Sequence, residues 1–202
     1  MHEPFTGNWT RQSHVSAEHL NSVRGLNRRF LDLAGEGLFL PGLRIQLAPL
    51  SAAQRAAAAN CPYALFDLRF ADEAYWRARL QMSGAWRIAD EPKADPDTVD
   101  FVRLALFYTW HVASSAGLTA HLLLGMHSQT AEAFRGVAVD ALSDLALAEA
   151  ANLTPRWSSC SAYWTALTSA AARPDSAALR RVQLSGLQLA AATQLPSEPR
   201  EV

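Results

Sequence analysis

The stretch from Leu104 to Met126 contains no Asp, Glu, Lys or Arg. A charge-free run of this length is about what a membrane-spanning helix needs, roughly 20 apolar residues. Its interior nevertheless carries serine and threonine hydroxyls and two histidines, and no Lys or Arg cluster flanks one side to set an orientation. The stretch therefore predicts a long buried helix, about Val99 to Leu124, around which the rest of the chain packs, and no membrane span.

Composition narrows the class of protein. The 202 residues are 50% hydrophobic and 18% charged, which predicts a folded chain with a substantial core. The net charge of −1 gives no overall field toward nucleic acid, so we expect DNA contact only indirectly, through a partner. Two widely separated cysteines, Cys61 and Cys160, and the lack of a secretory signal pattern predict a cytoplasmic location. Abundant alanine and a single lysine, Lys93, are typical of GC-rich bacterial coding sequences.

Apolar residues recur at spacings of three and four along most of the chain, which predicts an all-α, multi-helix bundle. Ser16 is the expected N-cap of a first helix that ends near Gly35 and Gly37, and Ser51 is the expected N-cap of a second. The predicted organisation is a mobile tail at 1–14, a first helical unit at 15–82, a linker at 83–98, a second helical unit at 99–195 and a tail at 196–202.

Several connections are read from turn residues. Leu38 to Leu50 is expected to be a loop, and Tyr63 to Phe70 is either a short strand or a helical turn. In the second unit, Ser128 is expected to cap a helix running to about Ala151, with Asp140, Asp144 and Glu149 on its solvent side. Thr154-Pro155 is a helix-start signal, and a last helix is expected from Ser176 to Gln194.

The polar residues of the central helix define one alternative function. Trp110, His111, Ser114 and His121 would line a cofactor or small-molecule pocket on its polar face. The two histidines are ten positions apart, about 15 Å along a helix, so they cannot bind one metal ion together. We favour core or edge histidines with satisfied hydrogen bonds, and we predict no metal site and no cofactor.

The sequence contains no Walker-type loop, no GxGxxG motif after a strand, no HExxH and no GxSxG. We therefore predict that the protein is not an enzyme and name no catalytic residue. Arginines on two helices are the candidates for contact with a partner or nucleic acid, although solvation is the simplest role of such strips. They are Arg24, Arg28 and Arg29 on the first helix, Arg180 and Arg181 on the last, and Arg156 between them.

A pattern recurs on the two sides of the predicted linker. The first half has, in order, Asn60, Pro62, Arg69-Phe70 and Ala74-Tyr75-Trp76-Arg77-Ala78; the second has Asn152, Pro155, Arg156-Trp157 and Ala162-Tyr163-Trp164-Thr165-Ala166. Both follow an alanine-rich helix. The hypothesis is a tandem duplication of one helical unit, whose copies would pair as a pseudo-dimer. Asn and Pro are common after helices and the shared aromatic string is short, so the two halves need not derive from one duplicated unit.

The second half, Val99 to about Ala192, resembles the FlhD family, the D subunits of the bacterial flagellar master transcriptional activator. The resemblance rests on four segments: Leu124-Gly125-Met126 after a long apolar helix, the helix from Val139 to Ala151, the stretch from Thr154 to Trp157, and the amphipathic segment from Ala177 to Leu195. The chain departs from the family in having Leu122-Leu123 where an aromatic residue and arginine usually precede the glycine. Family members are also roughly half as long.

The resemblance implies a non-enzymatic helical protein that self-associates or binds a protein partner and acts in promoter binding for flagellum biogenesis. The function expected from it is a regulatory protein–protein interaction module, a transcriptional regulator subunit. A diverged homologue with a different partner is an equal expectation. A ligand-binding protein with the pocket described above and a structural or assembly module are the alternatives.

Overall fold

The computed structural model describes residues 15–36, 40–81 and 94–192. Within them helices predominate and strand is almost absent, which confirms the all-α multi-helix prediction. The helices are α1 (Ala17–Glu36), α2 (Pro41–Leu47), α3 (Ala52–Ala58), α4 (Glu73–Gln81), α5 (Pro96–Ser115), α6 (Gly117–Leu124), α7 (Ser128–Arg135), α8 (Ala141–Glu149), α9 (Ser161–Ala171) and α10 (Ser176–Ala192). A 3-10 turn, Ala150–Asn152, follows α8, and two short strands are β1 (Phe66–Asp67) and β2 (Thr154–Pro155).

The two predicted tails and most of the predicted linker lie outside the described residues. The end of that linker is helical, since α5 begins at Pro96. The Asp95 carboxylate accepts a hydrogen bond from the Thr98 amide at 2.9 Å and so caps the helix. Among the helices described, none is long and apolar enough to cross a membrane.

Two predicted N-caps are present. The Ser16 hydroxyl accepts a hydrogen bond from the His19 amide at 3.1 Å, directly before α1. Ser51 forms a capping box with Gln54: the Ser51 hydroxyl accepts from the Gln54 amide, and the Gln54 side chain accepts from the Ser51 amide at 2.8 Å. These caps satisfy amide groups that a helix start leaves without partners, so serine is favoured there.

The expected loop from Leu38 to Leu50 is wrong in its middle, because Pro41 opens helix α2. Proline suits the first helical position, where its missing N–H is not needed. Leu43 and Leu47 are four residues apart and both buried, and α2 packs against α1. Seven residues are too few for a clear helical period, which explains why the sequence does not reveal it.

The predicted single helix from Val99 to Leu124 is also wrong. The chain leaves helical geometry at Ala116, with φ −153° and ψ 75°, so α5 and α6 are separate helices. The Ser115 hydroxyl donates to the His111 carbonyl at 2.7 Å, a bond that bends helices. Arg135 Nε donates to the Ala113 carbonyl at 2.7 Å, which stabilises the end of α5.

Two further predictions in the second half are corrected. The helix expected from Ser128 to Ala151 is divided into α7 and α8, which are separated at Gly136 to Asp140. Thr154-Pro155 forms strand β2 rather than starting a helix. The backbone at Thr154-Pro155 is extended because it pairs with β1. Local sequence does not reveal a contact with a strand so distant along the chain.

The strand pair joins the two predicted units. β1 and β2 are antiparallel, with Phe66 opposite Pro155 and Asp67 opposite Thr154. Helices also cross between the units, since α4 packs against α7 and α2 packs against α9. The units predicted at 15–82 and 99–195 therefore share one hydrophobic core, in which Phe30 contacts Phe66, Phe101 and Trp164.

Equivalent features in the two units lie 88 residues apart. Non-glycine residues with positive φ occur at Arg69 and Trp157, each two residues after the end of a strand. The Trp76 indole N–H donates to the Leu68 carbonyl at 3.1 Å, and the Trp164 indole N–H donates to the Arg156 carbonyl at 2.9 Å. The tryptophan of the repeated string thus donates an equivalent hydrogen bond to the backbone in both units. A tandem duplication would produce this arrangement, and it stays a hypothesis.

Asn27 is the polar residue that fixes α1 to this central region. It is fully buried, and its side-chain oxygen accepts a hydrogen bond from the Leu65 amide at 2.8 Å. Its Nδ2 donates to the Tyr63 carbonyl at 2.8 Å and to the Ala59 carbonyl at 3.3 Å. One side chain therefore satisfies three backbone groups of the segment that leads into β1.

We expect Asn27→Ala to lower the free energy of unfolding by about 2–4 kcal/mol, because it leaves buried backbone groups without partners. Denaturant titration followed by circular dichroism measures the change. Asn21→Ala is the control, since Asn21 lies on the exposed side of the same helix and should change stability by less than about 0.5 kcal/mol. Equal effects of the two substitutions would show that the Asn27 hydrogen bonds are not important for stability.

Candidate interaction surface

Three of the predicted contact residues, Arg24, Arg28 and Arg29, lie together on the outward face of α1. Arg28 and Arg29 are exposed and Arg24 is half-buried. Within the described residues, none of the three has a carboxylate within 4 Å. By contrast, Arg55 on α3 pairs with Asp32 of α1 at 2.8 Å. Asp32 and Glu36, near the C-terminal end of α1, are the carboxylates of this helix that lie within 4 Å of Arg55, and Glu18 lies in its first turn. Among the described residues, the middle turns of α1 therefore present three arginines without an ion-pair partner.

A groove of about 490 Å³ runs between α1 and α3, and we call it the α1/α3 groove. It is lined by Arg24, Gly25 and Arg28 on one side and by Ala56, Ala57, Ala59 and Asn60 on the other. Since three of the four side chains on the α3 side are alanines, a bound segment could approach the backbone closely there. The sequence shows the alanine run but not the helix that it packs beside, so sequence alone does not identify these alanines as candidate contact residues.

A second groove, of about 310 Å³, lies on the other side of α1, toward α5. Ser22, Gly25, Leu26, Arg29, Leu104 and Tyr108 line it. Leu104 is 40% exposed, and the Tyr108 hydroxyl donates to the His19 carbonyl at 3.0 Å. The outward face of α1 is therefore bordered by one cationic groove and one largely apolar groove.

The Arg24 side chain is only partly satisfied. Its Nε is buried and has no hydrogen-bond partner among the described residues. Burying such a donor without an acceptor costs free energy, so unsatisfied groups of this kind need an explanation. A partner that supplies an acceptor in the α1/α3 groove would provide one.

We expect Arg24→Met to leave the free energy of unfolding unchanged or to raise it by up to about 1 kcal/mol, because it removes an unsatisfied buried donor while keeping the apolar stem. Arg55→Met is the matched comparison. Arg55 donates to Asp32 and to the Leu50 carbonyl, each at 2.8 Å, and its loss should cost about 1–3 kcal/mol. Thermal or denaturant unfolding distinguishes the two, and a large destabilisation by Arg24→Met would show that Arg24 is structural.

Arg156 is not a surface contact residue, contrary to the expectation. It is buried, its Nη1 donates to the Leu123 carbonyl at 3.1 Å, and its guanidinium lies 4.8 Å from the Trp157 ring centroid. A Cβ atom at Gly125 would overlap it, and Gly125 has φ 71°, so glycine is needed there on both counts. Desolvation lowers the pKa of Arg156. Its role is to join α6 to the segment after β2.

Arg180 and Arg181 lie exposed on α10, which packs against α9. Arg180 Nε donates to the Ser176 carbonyl of its own helix at 3.3 Å. Neither residue lines the two grooves beside α1. The structure therefore places these two arginines apart from the α1 cluster, and they serve below as controls of equal charge.

The residues of the alternative pocket are divided by the helix break. Trp110, His111 and Ser114 lie on α5, whereas His121 lies on α6. The Trp110 indole N–H donates to the Val137 carbonyl at 3.0 Å, and His121 Nδ1 lies 3.0 Å from the Met126 carbonyl oxygen. None of the four lines either groove beside α1. No group of three or more metal-binding side chains occurs among residues 15–36, 40–81 and 94–192.

Two buried polar clusters connect the units. In one, the Tyr63 and Tyr163 hydroxyls are 3.0 Å apart, and Cys61 Sγ lies 4.0 Å from the Tyr163 hydroxyl. In the other, Glu149 is fully buried, contrary to its expected solvent position, and accepts from the Tyr75 hydroxyl and Arg79 Nε, each at 2.6 Å.

Burial raises the pKa of the Cys61 thiol to about 11 and raises the pKa of Tyr63, Tyr75, Tyr108 and Tyr163 above the usual value. A hydrogen bond to Glu149 adds to the rise at Tyr75. Because their folded-state pKa values are raised, these groups are protonated in the folded protein, and the stability linked to them is present at neutral pH and lost as pH rises above about 9.

We therefore expect the free energy of unfolding to decrease from about pH 9 upward. Tyrosinate absorbance near 295 nm should appear together with the loss of the circular dichroism signal, because all four tyrosines of the chain have raised pKa values. The guanidinium-unfolded chain should instead titrate near pH 10. Tyrosine ionisation completed before unfolding begins would contradict the burial argument.

Comparison with protein-family models, with curated proteins and with solved structures finds no match to this chain. The FlhD resemblance therefore stays a prediction based on its quoted residues.

Proposed function

We propose that this chain is a regulatory protein–protein interaction module, an FlhD-like transcriptional regulator subunit that meets promoter DNA only through a protein partner. The observation that carries the proposal is the outward face of α1, where three arginines without a carboxylate partner in the described part of the chain lie beside two grooves. Uncompensated charge beside exposed apolar surface is typical of a surface that another protein covers.

The arrangement of the two units supports the same proposal. The FlhD resemblance implies self-association. In this chain, helices of one unit pack against helices of the other, and the strand of one unit pairs with the strand of the other. We propose that the units arose by duplication and that the chain supplies in one polypeptide what two subunits would otherwise form. If the two units already satisfy self-association within one chain, the outward face of α1 would bind a different protein.

The charges support the proposal of indirect rather than direct DNA contact. The net charge is −1, and Arg69, Arg77, Arg103 and Arg135 each pair with a carboxylate three or four residues away on the chain. Duplex binding generally needs several cations placed along the phosphate backbone. The three arginines of α1 are a small set for that task but suffice for a protein contact.

We expect deletion of the gene to change transcription of a defined gene set, with flagellar genes the first to examine. In cross-linked cells the protein should be recovered with promoter DNA, whereas the purified chain alone should not shift those fragments. Transcript profiling, immunoprecipitation and gel shift measure the three effects. Unchanged transcription despite a stable protein partner would favour an assembly module, and a co-purifying small molecule would favour the ligand-binding alternative.

A further inference from the structure

We infer that the α1/α3 groove binds an acidic segment of a protein partner, whose carboxylates contact Arg24 and Arg28. The inference rests on the proposed function, because it names the chemistry of the partner that the interaction module would recognise. It depends on three properties of the groove: its charge, the state of its hydrogen-bonding groups and its shape.

The charged residues that line the groove are both positive. Arg24 and Arg28 are one helical turn apart, so both side chains project from the same side of α1, and the described residues of the lining include no Asp or Glu. A guanidinium group presents a planar fork of donors that matches a carboxylate in two-point contact. Two carboxylates one helical turn apart on a partner would match the two arginines.

The hydrogen-bonding groups of the groove also favour an acceptor. On the α3 side, the Ala57 carbonyl accepts from Gln183 Nε2 of α10 at 3.0 Å, and the Ala59 carbonyl accepts from Asn27 Nδ2 at 3.3 Å. These acceptors are therefore already satisfied by the protein itself. On the α1 side, the Arg24 Nε donor is buried and has no partner within residues 15–36, 40–81 and 94–192. Among these residues, the groove contains no negatively charged acceptor for it.

The shape of the groove favours a peptide over nucleic acid. Its volume of about 490 Å³ is open to solvent over much of its surface, as suits a segment of another protein lying along it. Three alanines and Asn60 form its α3 side and Gly25 adds no side chain, so a peptide backbone or helix can approach closely at the alanines. Arg24 is half-buried in the groove. A DNA duplex is instead contacted by exposed cations spread over a broad surface.

The test is a selection from a yeast-displayed library of random 16-residue peptides, using the full chain as the soluble, labelled target. We expect enriched peptides to carry Asp or Glu pairs three or four positions apart. Binding of these peptides should weaken at least about tenfold with Arg24→Gln/Arg28→Gln, as expected for the loss of charge-assisted hydrogen bonds. Arg180→Gln/Arg181→Gln removes the same charge from α10 and should leave binding within about twofold.

Enriched peptides without acidic pairs, or equal binding by the two double variants, would overturn the inference. A 20-base-pair DNA duplex is the second probe: DNA binding that is lost only in the Arg24→Gln/Arg28→Gln variant, with no acidic peptide enriched, would assign the groove to phosphate instead. A cooperative thermal unfolding transition in each variant shows that both are folded. The transcription measurement above is independent, so failure of the groove inference alone would leave the proposed function intact.

Discussion

The antiparallel pairing of β1 with β2 is the constraint on which the rest of the architecture depends. Two residues on each side provide few hydrogen bonds, so the pair is stable only because the surrounding elements hold it. Asn27 forms a hydrogen bond with the segment that leads into β1. Arg156, the residue that follows β2, donates a hydrogen bond to the Leu123 carbonyl of α6. Each strand then turns at a residue with positive φ, a conformation that costs free energy outside glycine. The tryptophan eight residues beyond Leu68 or Arg156 stabilises each turn.

The buried polar clusters show how two equivalent places in such an arrangement can differ. Glu149 lies 88 residues after Cys61, and Tyr163 lies 88 residues after Tyr75, so the Cys61–Tyr163 contact corresponds to the Glu149–Tyr75 contact. The first cluster is neutral. The second contains a fully buried carboxylate, which is tolerated because Tyr75, Arg79 and Asn152 all donate to it at 2.6–2.8 Å. Both contacts cross between the units and so hold them together.

The sequence predicted what depends on neighbours along the chain. Helical periodicity, the Ser16 and Ser51 caps and the repeated aromatic strings are local signals, and the structure contains all of them. The break at Ala116, the burial of Glu149 and Arg156, and the strand at Thr154-Pro155 depend on contacts with distant residues, including Arg135, Arg79, Gly125 and β1. The arginine cluster of α1 was visible in sequence, but the alanine side of the groove was not, because pairing α1 with α3 requires the tertiary fold.

The difference between the two units bears directly on how many partners one chain can bind. Under the proposed duplication, the positions 88 residues after Arg24 and Arg28 are Val112 and Ala116. Val112 is buried, and Ala116 is the residue at which α5 ends, so the second unit has a core contact and a helix break where the first has cations. A symmetric pair of identical subunits would present the cationic groove twice. One chain with diverged units presents it at α1 and not at the equivalent place, so it would bind one acidic segment per chain.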